Sequence, residues 1–315
     1  MIQPEARVAP AVPITPAAAP AAVPGLSKVL TQRKSRKRLR TGERVFLWVS
    51  RLIILVFLCL TLIPILWVIS TSFSAGGFFS QTIIPAHFTL TNYANLFNGQ
   101  VAFPTWVKNS VILCTTVGGL TVVLVATMAY AFSRFRFFGR KYGLMALLIV
   151  QMFPAQMSFV AFKLLLEHVH MDGTLIGLML VLIGGGLPFN AWLFKGYIDS
   201  LPVDLEEAAY VDGASKLQAY LRIILPLTRP MMAVVFLFSW FGMFSEYLLS
   251  NYILGSNANA YTVAVGLRGF VVSSLQANYP EFAAAAVLGS IPLMIVFLSA
   301  QRFLVAGLSR GAVKG

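Results

Sequence analysis

Few residues in this sequence have the type and spacing to do chemistry, and they fall in three places. His168 and His170, flanked by Glu167 and Asp172, form one histidine pair. At i and i+2 they point to opposite sides of a strand and are poorly placed on a helix, so a metal site would demand a special loop. A tight polar loop without metal is the expectation. Glu246 stands inside an apolar segment. A carboxylate at mid-membrane costs about 2.5–3.5 kcal/mol on insertion scales, so it must face protein or water. Two readings stand for it: it lines a hydrophilic pathway or gate, or it is an internal hydrogen-bonded residue. Asn109 and Gln151 are weaker candidates for the same pathway, with Gln156, Lys163 and Asn190 behind them. The third place is Glu207-Ala208-Ala209 with Asp212 and Gly213, running on to Ile223, Leu225 and Pro226. No HExxH or GxxxxGK[ST] occurs. The chain is therefore expected to carry no catalytic residue, cofactor or nucleotide site, and any uphill work draws on a partner's energy.

The elements that position these residues belong to a membrane. Of 315 residues, 58% are hydrophobic and only 11% charged, against roughly 25% charged in soluble domains. The formal charge of +13 could suggest nucleic acid, but its distribution argues otherwise. Ten of the 24 Lys and Arg lie within the first 51 residues, and most others flank apolar runs. That is a topology signal, and nucleic acid is not an expected partner. Cys59 and Cys114 sit in apolar runs without CxxC spacing, as buried hydrophobes do.

Six segments approach the ~20 apolar residues needed to cross a bilayer as a helix: 45–69, 107–132, 142–162, 174–194, 231–254 and 282–301. Several carry internal breakers: Pro64, Gly118-Gly119, Pro154, Gly184-Gly185-Gly186 with Pro188, and Pro292. Kinks and close helix packing are their first expected role. Basic residues give the orientation. The interval 70–106 has none, 133–141 has four, 163–173 has Lys163, 195–230 has four, and 255–281 has Arg268. Loops 70–106, 163–173 and 255–281 are thus expected outside, and both termini and 195–230 in the cytoplasm. The fold class is all-α, a polytopic membrane protein with six transmembrane helices. Residues 1–44 read as a disordered Pro/Ala-rich, basic cytoplasmic leader, 45–305 as the membrane domain, and 306–315 as a cytoplasmic tail. The apolar run after the Arg33–Arg40 cluster is too long and too far from the start for a cleavable signal.

Within 195–230, Asp199 or Ser200 can cap a short helix with Pro202 in its first turn. Asp204, Glu206 and Glu207 then favour the positive end of the helix dipole, and Gly213 stops it. Leu205, Ala208, Ala209 and Asp212 share a face, and the alanines make it shallow. A second short helix follows through Leu217, Tyr220, Leu221 and Ile224, before Pro226 and Pro230. Such a piece either lies at the interface as an amphipathic linker or docks into a groove of a cytosolic partner.

The spacing Glu207-Ala-Ala-x3-Gly213-x9-Ile223-x-Leu225-Pro226 resembles the EAA motif of permease subunits in binding-protein-dependent ABC importers. Ala129–Arg136, Gln151–Pro154, Leu193–Tyr197, Tyr261–Gly266, Phe282–Val287 and Gln301–Gly307 are similar to the smaller permease subunit of maltose/maltodextrin importers. The resemblance implies a MetI-like ABC importer permease fold with a cytoplasmic coupling helix, in the inner membrane of a bacterial cell. It also implies a second, larger permease subunit, two copies of a cytosolic ATP-binding subunit, an extracytoplasmic sugar-binding protein and an oligosaccharide substrate. By that resemblance Glu207 pairs with a basic group on the ATPase, Ala208 and Ala209 supply a close-fitting surface, and Gly213 supplies the turn. Gly311, Val313 and Lys314 belong to a tail reaching the ATPase, and loop 255–280 reaches the binding protein. Relatives with this motif carry trehalose, other oligosaccharides, polyols or glycerol phosphate, so spacing does not define the solute. A membrane channel or intramembrane enzyme would need a converging selectivity or catalytic constellation, and none is present.

Overall fold

Lipid offers no hydrogen bonds to a peptide group, so a chain this apolar must satisfy its backbone within helices. The computed structural model describes residues 41–76, 84–85, 87–99, 101–271 and 277–311, with backbone alone at 41, 44 and 302–311. Among the described residues there is no strand, only an isolated bridge between Ser74 and Phe88. The chain divides into two units, Met1–Leu60 and Thr61–Gly315.

Helix α1 (Thr41–Ser72) runs through the boundary between the units. In the first unit its side chains from Val45 to Leu60 are apolar apart from Ser50 and Arg51, and nearly all are exposed; Phe46, Trp48 and Phe57 are among them. A helix that is hydrophobic on every side wants lipid or another subunit as its solvent. The expected leader otherwise lies outside the described residues.

The second unit holds the remaining helices: α2 (Thr91–Asn95), α3 (Phe103–Arg134), α4 (Arg140–Val150), α5 (Phe159–His168), α6 (Leu175–Asp199), α7 (Asp204–Val211), α8 (Lys216–Leu227), α9 (Arg229–Phe244), α10 (Leu248–Leu254), α11 (Val263–Leu267) and α12 (Tyr279–Gly311). Its centre is α3, which packs along α6 and α9. Small residues allow the close approach: Gly118 lies against the Phe236 ring, where a Cβ would sit 3.2 Å away. Three buried clusters follow the long axis of α3. One joins Val125, Ala129 and Tyr130 to Phe194, Ile198, Ile224 and Val235. The next joins Leu113 and Val117 to Leu178, Trp240 and Ile253. The last joins Phe103 and Trp106 to Val263, Phe270 and Ala284.

Among the described residues four helices, α1, α3, α6 and α12, are long and apolar enough to cross a membrane unbroken. The span expected at 142–162 is instead a bent pair, α4 with Ala155–His168, at 87°. The span expected at 231–254 is interrupted between α9 and α10, and α9 meets α8 at 72°. Counting each bent pair as one span gives six. Of the prolines expected to break spans, Pro64, Pro188 and Pro292 sit inside continuous helices. Only Pro154 coincides with a break, where it takes ψ 120° and starts a 3-10 turn. The residue before proline is pushed out of the helical region, and here Gln151 anchors the break by donating to the Gly185 carbonyl at 2.6 Å.

Candidate functional site

The site is built where α3, α6 and α7 meet. Helix α6 continues through Asp199, with Ser200 as its C-cap, so neither residue starts the next helix as expected. Both are already engaged: Asp199 accepts from Ser133 at 2.6 Å and pairs with Lys195, and Ser200 Oγ donates to the Tyr197 carbonyl. Helix α7 therefore begins at Asp204 after Val203, with no side-chain cap, and the acids of its first turn face the positive end of its dipole. It ends at Gly213, whose φ of +84° is left-handed. The Gly213 N–H donates to Tyr210 O at 3.1 Å and the Ala214 N–H to Ala209 O at 2.9 Å, closing the end as a glycine stop does. Ser215 and Gln218 then form a reciprocal capping box. Helix α8 contains one π turn, Tyr220–Ile224, just before Pro226, which has no N–H to give.

This geometry divides the motif between two sides. Leu205, Glu207, Ala208, Val211 and Asp212 are exposed, with Val211 at 88%. Ala209, expected on the docking face with Ala208, instead turns into the protein beside Glu206. Gly213 is exposed, whereas Ile223, Leu225 and Pro226 are half-buried around the buried Ile224.

Glu206, read in the sequence only as a first-turn acid, is the carboxylate of α7 that the fold buries. It is only 2% exposed, yet it is a carboxylate. Arg134, the last residue of α3, donates from Nε to one of its oxygens, and Tyr130 donates to the other at 2.8 Å. Tyr210 approaches the second oxygen at 3.5 Å. The guanidinium is otherwise committed to Ser133 Oγ at 3.1 Å and to the carbonyls of Ile198 and Leu201 at 3.3 and 3.2 Å. Removing one partner of such a buried pair typically costs about 3–5 kcal/mol, because the other charge is left uncompensated. A usable signal existed in the sequence: Glu206 lies at i−3 from Ala209 and i−4 from Tyr210, about 100° around the helix from Glu207.

The remaining candidates lie apart from this junction. Glu246 accepts from the Leu249 and Ser250 N–H groups, each at 2.8 Å, and from Ser250 Oγ. It caps α10 where the fifth segment breaks, which is the hydrogen-bonded reading. Losing a cap costs about 0.5–2 kcal/mol, so Glu246→Ala is expected to lower the thermal midpoint of the purified protein by a few degrees, with Glu246→Asp intermediate. Asn109 is buried and donates to the carbonyls of Asn259 and Tyr261 at 2.9 and 3.0 Å, tying α3 to the 255–262 loop. Gln151 bridges the α4 break to Gly185, and Asn190 donates to Gly186 within α6. Gln156 lies exposed in the 3-10 turn after that break. Lys163 pairs with Asp172 at 3.1 Å. His168 closes α5, and His170 takes a left-handed φ of +57° in the turn after it. Gly311 ends α12, while Val313 and Lys314 lie outside the described residues.

Comparison with known proteins covers these elements. Residues 122–310 match the family described as binding-protein-dependent transport system inner membrane component. The chain is 39% identical over 292 residues to the galactooligosaccharides transport system permease protein GanQ of Bacillus subtilis (strain 168), covering 91% of this chain and all of that one. It is 37% identical over 287 residues to the maltose/maltodextrin transport system permease protein MalG of Vibrio vulnificus (strain YJ016), covering 85% and 96%. Its fold matches a chain of a bacterial ABC transporter involved in the import of the acidic polysaccharide alginate. That match has a TM-score of 0.71 at 22% identity and covers 84% of this chain and 98% of the other.

Proposed function

The chain belongs to the family of binding-protein-dependent transport system inner membrane components, and from that premise we propose that it is the permease subunit of an ATP-driven importer of maltose/maltodextrin-type oligosaccharides. It works beside a larger permease subunit, takes sugar from an extracytoplasmic binding protein, and receives its energy from two copies of a cytosolic ATPase. The observation that carries this reading is the two-sided α7. Its outer face offers Leu205, Glu207, Ala208 and Val211 to a partner, while its inner face is fastened to the membrane helices. An eight-residue helix with so much apolar surface exposed needs a groove to cover it.

Several features support the orientation and the assembly. Arg134, Arg140, Lys195 and Lys216 gather near α7, at the end of the chain that the positive-inside rule assigns to the cytoplasm. The same rule assigns both termini to that side. The bent pair α4–α5 exposes Met145, Ile149, Val150, Met152, Phe153 and Met157, an apolar surface suited to lipid or to the second permease subunit. A galactooligosaccharide is the second reading of the substrate, favoured by the relative that matches across its full length.

The test is reconstitution with the neighbouring subunits in liposomes, followed by import of maltotriose and of a galactotriose. Import of neither sugar overturns the substrate reading. Glu207→Lys reverses the charge on the exposed face without touching the buried network. It is expected to lower ATPase co-purification at least about tenfold with membrane insertion unchanged; undiminished co-purification removes Glu207 from the docking face.

A further inference from the structure

An exposed helix that docks on a motor transmits nothing unless it is rigidly joined to what must move. Helix α7 is eight residues long and connects to α6 and α8 through short non-helical links at 200–203 and 212–215. Links of that kind permit hinging. The second attachment is Glu206, which is buried while its neighbour Glu207 is exposed and is held by Arg134 and Tyr130. Arg134 in turn binds the carbonyls of Ile198 and Leu201, so one guanidinium pins the ends of α3 and α6 to the first turn of α7. Ser133 adds a bond to Asp199 across the same junction. Opening the joint would leave a carboxylate and a guanidinium unpaired among Tyr130, Ala209 and Tyr220, all buried. Uncompensated charge in such surroundings is strongly disfavoured, and the planar fork of arginine fixes angle as well as distance.

We propose that Arg134 and Glu206 form the joint through which displacement of α7 reaches the membrane helices, with Arg134 as its positioning residue. The inference rests on α7 being the helix seated on the ATPase. Adjacent glutamates then have separate tasks: Glu207 faces the partner, and Glu206 fastens the helix to its own chain. Lysine cannot replace Arg134, because one ammonium on a flexible stem cannot hold Glu206 and two backbone carbonyls in a fixed plane.

The experiment uses the complete reconstituted transporter and reads three quantities: ATPase subunit co-purified, ATP hydrolysed, and maltotriose accumulated. Arg134→Lys and Glu206→Gln are expected to keep the ATPase subunit bound and to raise ATP consumed per sugar at least about tenfold. The double variant Arg134→Met/Glu206→Met removes both charges while retaining apolar volume. It is expected to match wild-type yield yet stay uncoupled, which a purely stabilising pair would not do. Wild-type stoichiometry in the double variant, or in both single variants, overturns the joint while leaving the docking reading intact. Failure of the wild-type complex to retain any ATPase subunit overturns the docking reading, and the joint with it.

Discussion

Gly213→Pro is expected to reduce ATP-driven sugar uptake about a hundredfold while the protein stays in the membrane at close to wild-type amount. Gly213 holds a φ of +84° and donates its N–H to Tyr210 O at 3.1 Å. Proline locks φ near −65° and has no N–H, a mismatch that costs about 3 kcal/mol or more. At roughly 1.4 kcal/mol per decade, that corresponds to two orders of magnitude in the population of correctly placed helix. The effect is conformational rather than steric, because a Cβ at Gly213 would meet nothing within 4 Å. A graded series follows: asparagine tolerates the left-handed region best, alanine pays roughly 1 kcal/mol, and proline is worst. The membrane helices do not depend on this turn, so insertion measured by membrane fractionation should not change. Wild-type uptake in Gly213→Pro would remove the turn from the coupling route.

Gly266→Val is expected to be strongly destabilising, with clearly less folded protein recovered from membranes than for the wild type. A Cβ there would lie 2.2 Å from Trp106 Cδ2 and 2.3 Å from Cε3. The indole cannot step aside: it is 7% exposed and stands edge-on to Phe103 and Phe270, at 6.3 and 6.1 Å between centroids. Overpacking of this kind typically costs about 1–3 kcal/mol per substitution, and the two methyls of valine push it to the upper end. Gly266→Ala should lower the thermal midpoint by less. Gly269→Ala, where a Cβ would meet nothing within 4 Å, serves as the control and should melt like wild type. Combining Gly266→Ala with Trp106→Leu should recover part of the loss by removing the ring that clashes. An unchanged midpoint in Gly266→Val would mean that Trp106 is not wedged as described.

The comparison of sequence with structure turns on the range over which each signal acts. Segments 45–69, 107–132, 174–194 and 282–301 were legible because apolarity over twenty residues is a summed local property. Segments 142–162 and 231–254 have the same composition but are broken, one at Gln151–Pro154 and the other at Glu246. Proline content did not predict this, since Pro64, Pro188 and Pro292 are accommodated within helices. Each break carries a polar side chain bonded to backbone: Gln151 donates to the Gly185 carbonyl of α6, and Glu246 accepts from the first N–H groups of α10. The first of those partners lies 34 residues away and is invisible to a window of sequence.

The sequence by itself determined an all-α membrane protein, the side of the membrane to which residues 195–230 were assigned, and the family spacing from Glu207 to Pro226. These depend on hydrophobicity, on charge asymmetry and on a glycine whose left-handed φ is a local demand. Only the tertiary structure decided which of two adjacent glutamates faces inward. Glu206 and Glu207 are equally acidic and equally suited to the first turn of α7. What separates them is Arg134, 72 residues earlier, which arrives beside Glu206 only after α3 and α6 have packed. Burial of a charge follows from where its counter-charge ends up, and that position is set by the packing of the whole chain.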